Sequence, residues 1–281
     1  MRLVAVQARI SEQTPKDLRG VRVLAPALAR RLSVRPATIT GRDGPFGDTP
    51  WREDLEASRS VLGEAGDRVA EAVGASEPCV TLASDCSLAL GTLPAVARAE
   101  PDAKVLWLDA HADFDTPRTT TGGFLGCMSL AGACGRWDSG LGAMDAERVV
   151  LCGVRGRAGD FDRAGQREAE GSAMTMVPVS GAGGGQVHAA LGEDPVYVHL
   201  DPDVLDPSVN PIPYGREGGL LADALLGLLA GVAARGPVLG VEVTAFHSDD
   251  DEPLRARMTA LLVEAVAALN LGAPAAACAH G

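Results

Sequence analysis

Two short stretches concentrate groups able to hold a cation. Asp109-Ala-His111-Ala-Asp113-Phe-Asp115 and Asp201-Pro-Asp203-Val-Leu-Asp206-Pro place acids and one imidazole at two-residue spacing. Side chains two apart on an extended segment point the same way. Asp109 and His111 therefore share one side, as do Asp201 and Asp203, and Asp113 can curl back from one turn further on. Converging carboxylates cannot all stay ionised in contact without a cation. Carboxylates with one imidazole suit a hard to borderline divalent ion such as Mn²⁺. One ion does not need so many ligands, and a bridged pair about 3.5 Å apart is the economical arrangement. A lone Asp-x-Asp is a weak sign, because loop aspartates cap helices and make turns. Here both patterns directly follow apolar runs. Asp206, before Pro207, reads as a turn residue.

The positioning elements follow from hydropathy. Apolar runs rich in Val and Leu recur at residues 3–8, 37–40, 79–83, 104–109, 148–154, 174–179, 196–201 and 238–243. Most are continuously apolar, as in parallel strands buried on both faces. Helical period marks 53–73, 87–98, 220–235 and 254–269. Ser87 is a candidate cap for the second, and Asp251 or Glu252 favours the start of the last. Alternating strands and helices predict an α/β fold with a mostly parallel sheet of about eight strands. In open α/β sheets ligands bind at the carboxyl ends of strands. Two more strands then matter: 79–83, which runs into Ser84-Asp85-Cys86-Ser87, and 238–243, which contains Glu242. No linker, charge run or repeat divides the chain, so residues 1–281 are expected to form a single domain. The glycine run at 181–185 reads as a flexible loop and lacks the spacing of a phosphate loop.

The chain has 281 residues and a formal net charge of −12, with 22% charged residues. That balance argues against nucleic acid and anionic membranes as partners, and does not exclude a cationic small molecule. No apolar stretch is long enough to span a bilayer, and the N-terminus lacks signal-peptide regions. The expectation is a cytoplasmic protein. None of the six cysteines forms a Cys-x-x-Cys pair, so reduced, mostly buried thiols are expected, with Cys86 the exception.

Taken together, the segments resemble the ureohydrolases, the family of arginases and agmatinases. The Asp-Ala-His-x-Asp motif stands at 109–113 and Asp-x-Asp-x-x-Asp-Pro at 201–207. A variant of Gly-Gly-Asp-His-Ser stands at 84–87, as Ser84-Asp85-Cys86-Ser87. The resemblance implies a three-layer α/β/α fold and a centre of two Mn²⁺ per chain. It implies that Asp109 and Asp201 bridge both ions, that Cys86 and Asp113 complete the first, and that His111 and Asp203 complete the second. It further implies a metal-bridging hydroxide as nucleophile, Asp113 as proton shuttle, and Glu242 as the carboxylate facing the guanidinium. Asp115, Arg118 and Asp160 become candidates for contact with the rest of the substrate, a small guanidino amino acid.

Several positions depart from the family pattern. Cys86 replaces a histidine ligand, exchanging a neutral imidazole for a soft anionic thiolate. Gly126 falls where arginases carry an acid/base histidine. Asp115 and Gly122 replace polar residues that hold the substrate carboxylate, and the loop at 212–217 is one residue short and lacks a threonine. A cysteine ligand with a missing histidine resembles the branch that hydrolyses Nω-hydroxy-L-arginine to L-ornithine and hydroxyurea in D-cycloserine biosynthesis. Alternatives are another ureohydrolase, of agmatinase, guanidinobutyrase or formiminoglutamase type, or a non-catalytic metal-binding paralogue. His247 is a candidate substitute for the missing histidine. His199 is either a group behind the metals or a satisfied core residue. The short Ala-rich segment at 271–281, where arginases extend a trimerising tail, favours a monomer.

Overall fold

In the computed structural model, which describes residues 1–156, 162–182 and 185–271, all eight apolar runs form strands. They are β1 (Arg2–Gln7), β2 (Ala37–Thr40), β3 (Cys79–Leu82), β4 (Lys104–Leu108), β5 (Val149–Cys152), β6 (Thr175–Val177), β7 (Val196–Leu200) and β8 (Val238–Val243). Their order in the sheet is β2-β1-β3-β8-β7-β4-β5-β6, and every pairing is parallel. The helices are α1 (Pro15–Leu32), α2 (Trp51–Gly74), α3 (Ala89–Ala99), α4 (Ser129–Ala133), α5 (Arg163–Glu170), α6 (Val179–Ala182), α7 (Gln186–Leu191), α8 (Ala222–Ala233) and α9 (Glu252–Ala268).

The helices divide between the two faces. On one face, Leu62 and Val69 of α2, Leu93 of α3 and Leu130 of α4 pack against Val4, Val105 and Trp107 of the sheet. On the other, Leu24 of α1, Leu191 of α7, Leu229 of α8 and Leu262 of α9 pack against Leu3, Val80 and Val241. Alternate strand residues thus enter opposite cores, which is why these strands are apolar throughout. The fold is a three-layer α/β/α sandwich.

Helix α1 lacks a continuous apolar signal, being interrupted by Pro26 and several arginines. Its start is nevertheless encoded: Thr14 caps it by accepting from the Lys16 amide, and Pro15 follows at the first helical position. The helix at 87–98 begins differently from expectation. Asp85, not Ser87, is the cap: its Oδ1 accepts from the Ser87 amide at 2.7 Å, and a single 3₁₀ turn, Cys86–Leu88, precedes α3. Asp251 caps α9 through the Leu254 amide, as expected. The glycine run does not begin as a loop, since α6 extends through Ala182; residues 183–184 lie outside the described residues. Asp206 is a turn residue: its carboxylate accepts from the amides of Ser208, Gly218 and Gly219.

Candidate metal centre and substrate pocket

The carboxyl ends of β1, β3, β4, β7 and β8 open into one cavity of about 580 Å³. The sheet order explains the convergence, because β3, β8, β7 and β4 are consecutive neighbours. Cys86, Asp109, His111, Asp113, Asp201 and Asp203 all line the cavity. All six are buried, the most exposed being Asp113 at 7%.

Backbone and ring donors fix the acids. The Asp109 carboxylate accepts from the His111 amide at 2.6 Å and from Trp107 Nε1 at 3.0 Å. Asp201 accepts from the Asp203 amide at 2.8 Å, and Asp203 from the Ala110 amide at 2.8 Å. Asp113 curls back through a left-handed backbone, φ +47°, a conformation disfavoured for a residue with a Cβ and characteristic of functional positions. Gly153, φ +112°, lets the β5 end approach this centre, since a Cβ there would meet the Asp109 carbonyl oxygen at 2.7 Å.

Two overlapping donor sets result. Asp109, His111 and Asp203 bring ligand atoms within 4.8 Å of one another, and so do Cys86, Asp109 and His199. Asp109 belongs to both. Cys86 Sγ donates to Asp201 Oδ2 at 3.2 Å, and His111 Nδ1 lies 2.7 Å from Asp203 Oδ2. The electrostatics fit a cation. Burial and then neighbouring carboxylates push the Asp113 and Asp201 carboxyls well above the usual range. Burial, followed by Asp201, Asp113 and Asp109, pushes the Cys86 thiol up. Burial also raises Asp203, but His111 and the hydrogen bonds from the Ala110 amide and Asp109 together hold that carboxyl low. Mutual repulsion in a buried site is what multivalent cations relieve. The residues fit a pair of divalent ions.

Glu242 does not face the cavity. It lies inside β8, paired in register with Thr81 and His199, and is fully buried. Its carboxylate accepts from Thr92 Oγ1 of α3 at 2.6 Å, His199 Nδ1 at 2.7 Å and Tyr197 Oη at 3.2 Å. The structure does not bring Glu242, expected to meet a guanidinium, among the lining residues; past the end of β8 it is Ala245, with φ +49°, that lines the cavity. His199, left open between two readings, is fully buried with a ring nitrogen within 4.8 Å of ligand atoms of Cys86 and Asp109. It stacks on Trp107 with centroids 3.4 Å apart, and its Nε2 lies 3.3 Å from Thr244 Oγ1, itself 3.3 Å from Cys86 Sγ.

Other expected contacts divide. Asp115 lines the cavity, with Oδ1 accepting from Thr119 Oγ1 at 3.0 Å. Arg118 is exposed and is not part of the lining; its loop turns outward after Thr116, whose hydroxyl accepts the Arg118 amide at 3.3 Å. Asp160 lies outside the described residues. Gly126 lines the cavity beside Phe124, whose ring would meet a Cβ added at 126 at 2.4 Å. His247 is taken by Asp17, with Nδ1 2.8 Å from Oδ1, and is not a lining residue. Glu12, Asp17 and Tyr214 also line the cavity. The sequence reading missed them because they come from the β1–α1 connection, α1 and the loop at 212–217, none of which carries a motif. Among the described residues no Lys or Arg lines the cavity, so its wall suits a cationic or amino-bearing ligand.

A sequence model described as the Arginase family matches residues 25–270. The chain is 32% identical over 266 residues to the N(omega)-hydroxy-L-arginine amidinohydrolase of Streptomyces lavendulae, covering 94% of this chain and 95% of that protein. Among solved structures it resembles the arginase of Bacillus subtilis subsp. subtilis str. 168, with a TM-score of 0.83, 21% identity and coverage of 97% and 98%. It also resembles the arginase of Bacillus cereus, with a TM-score of 0.79, 21% identity and the same coverage.

Proposed function

The chain belongs to the arginase family, whose members hydrolyse amidino groups, and from that premise we propose that it converts Nω-hydroxy-L-arginine to L-ornithine and hydroxyurea. The observation that carries this reading is the near full-length similarity to a hydroxyarginine amidinohydrolase, joined to Cys86 at the carboxylate cluster. We place the reaction in D-cycloserine biosynthesis on the resemblance of that cysteine and Gly126 to the branch serving it.

Two Mn²⁺ ions held by Cys86, Asp109, His111, Asp113, Asp201 and Asp203 would supply Lewis acidity and a water activated at neutral pH. The chain's own groups do the rest. Asp113, kept within reach of the cavity by its left-handed backbone, is the group that takes and returns a proton at its carboxylate. Ser129 Oγ donates to Asp113 Oδ2 at 3.4 Å and orients it. Asp115 offers a carboxylate to the amino-acid end of the substrate. Phe124 fills space beside Gly126 and closes the wall where an acid/base histidine is missing. A hydroxyguanidine tolerates that loss: its N-hydroxyl withdraws electrons, so the central carbon is easier to attack. Mass-spectrometric product analysis tests the reading. Equimolar ornithine and hydroxyurea from Nω-hydroxy-L-arginine, abolished by chelation, support it; putrescine and urea from agmatine, with no turnover of the hydroxylated substrate, point to another ureohydrolase activity.

A further inference from the structure

We propose that the Tyr214 hydroxyl contacts the N-hydroxyl of the substrate head and so sets the preference for a hydroxylated guanidine. The proposal rests on the hydroxyarginine reading and names the group that makes the discrimination. Tyr214 lines the cavity beside Pro213 and is partly exposed. Its hydroxyl makes no hydrogen bond among the described residues, yet it is not one of the unpartnered side-chain atoms sealed away from solvent. A phenol in a cavity wall, with neither an internal partner nor a seal over it, is open to a ligand.

The ring is fixed beside the acid cluster. It meets two imidazoles, tilted against His111 with centroids 6.4 Å apart and edge-on to His247 at 6.1 Å. His111 belongs to one donor set, and His247 is itself held by Asp17 at 2.8 Å. The loop that carries Tyr214 is anchored on both sides. Before it, Asn210 Nδ2 donates at 3.0 Å to the carbonyl of Pro202, the residue between Asp201 and Asp203. After it, the Gly215 amide closes a turn onto the Ile212 carbonyl at 3.1 Å, and Arg155 Nε donates to the Arg216 carbonyl at 3.0 Å. Burial, then the charges of Asp17, Asp201, Asp203 and Cys86, pushes the phenol up, and all four of those residues line the cavity. The hydroxyl end of the ring thus has the groups of the centre as its neighbours.

Hydrogen-bond chemistry decides what such a group selects. Even an ordinary phenol keeps its proton at neutral pH, so Tyr214 can both donate and accept. An N-hydroxyl does the same, and the two oxygens can pair whether or not the head is charged. The guanidinium of arginine ends in N–H donors and is one atom shorter. It can offer the phenol a proton but cannot take one, and the phenol's own proton is left unpaired as the cavity fills. A site that hydrogen-bonds a substrate hydroxyl disfavours the analogue lacking it for this reason. The preference is thereby separate from the metal ligands: removing the hydroxyl changes which head is favoured and leaves the donor sets intact.

Tyr214→Phe removes the hydroxyl and keeps both ring contacts, so its thermal midpoint and bound manganese should match wild type. In steady-state kinetics of the manganese-loaded proteins, kcat/KM for Nω-hydroxy-L-arginine should fall about tenfold in Y214F, close to 1.4 kcal/mol, while that for L-arginine stays within twofold. Calorimetric affinities for the bare heads should follow: N-hydroxyguanidine binds Y214F about tenfold more weakly, and guanidine binds both proteins alike. A kcat/KM for the hydroxylated substrate within twofold of wild type overturns the proposal. So does an equal loss on both substrates, which would make Tyr214 a wall residue with no part in selection. Where the wild type turns over L-arginine too slowly to measure, the calorimetric pair makes the comparison. If it turns over no guanidino compound, the hydroxyarginine reading fails on its own, and the same pair still decides on Tyr214: weaker binding of N-hydroxyguanidine alone sustains the contact, and equal binding removes it.

Discussion

The cysteine at position 86 lies where one buried carboxylate, Asp201, and one hydroxyl, Thr244, converge on its sulfur at 3.2 and 3.3 Å. As a ligand it would contribute negative charge that a histidine does not, and so lower the Lewis acidity of the pair. Cys86→Ala should reduce bound manganese from two ions toward one per chain, measured by elemental analysis; unchanged content would remove Cys86 from the ligand set. Glu242 makes the opposite prediction. Its donors are Tyr197 and His199 of β7 and Thr92 of α3, all buried, so Glu242→Gln should lower the thermal midpoint and leave KM within twofold. A tenfold rise in KM would mean that it reaches substrate after all. The motif residues were readable because two-residue spacing at a strand end fixes direction. The bounds of β8 were read correctly as 238–243; the guanidinium contact of Glu242 came from the family resemblance, not from its place inside the strand. Glu12 carried no local signal, since the hydroxyl that holds its carboxyl, Ser84 Oγ, is 72 residues away.

The strands were legible because burial on both faces removes polar residues from them, leaving runs such as Val105–Leu108 that only a parallel sheet explains. Helix α1 was not, because its partner α9 is remote in sequence and its own composition is broken by Pro26 and arginines. Helices α2 and α3 pack through glycines. A Cβ at Gly91 would meet the Leu62 carbonyl oxygen at 2.1 Å, and one at Gly66 the Gly91 carbonyl at 2.5 Å. Neither obstacle is a flexible side chain, so Gly91→Ala must part the two helices. It should cost about 1–3 kcal/mol of stability, read as a lower denaturant midpoint. Because α3 follows the Cys86 turn and carries Thr92, bonded to Glu242, manganese affinity should fall as well. A variant as stable as wild type would show that this contact is not as close as the backbone implies.

At the scale of the molecule, the sheet brings strand ends from residues 7 to 243 to one cavity, and nearly all of that wall's charge is negative. No helix among the described residues is long and apolar enough to cross a membrane. Acids buried together leave a signature in pH dependence. Glu12 is pushed from an ordinary 4.5 to about 9 in the folded chain. Between those values the native state holds a proton that the unfolded chain has released. The stability linked to this group is thus complete below the lower value and is lost as pH rises through the upper one. Glu12→Gln does not titrate, so its midpoint relative to wild type, at matched metal content, should rise from pH 5 to pH 9; a constant difference would contradict the buried-acid assignment. The central claim is metal-dependent hydrolysis with selectivity for a hydroxylated guanidine. The most direct measurement is ornithine release by manganese-loaded protein from L-arginine and from Nω-hydroxy-L-arginine at equal concentration, beside a metal-stripped control. The account predicts metal-dependent ornithine from the hydroxylated substrate and little from arginine. Equal rates on both, or release that survives removal of the metal, would contradict it.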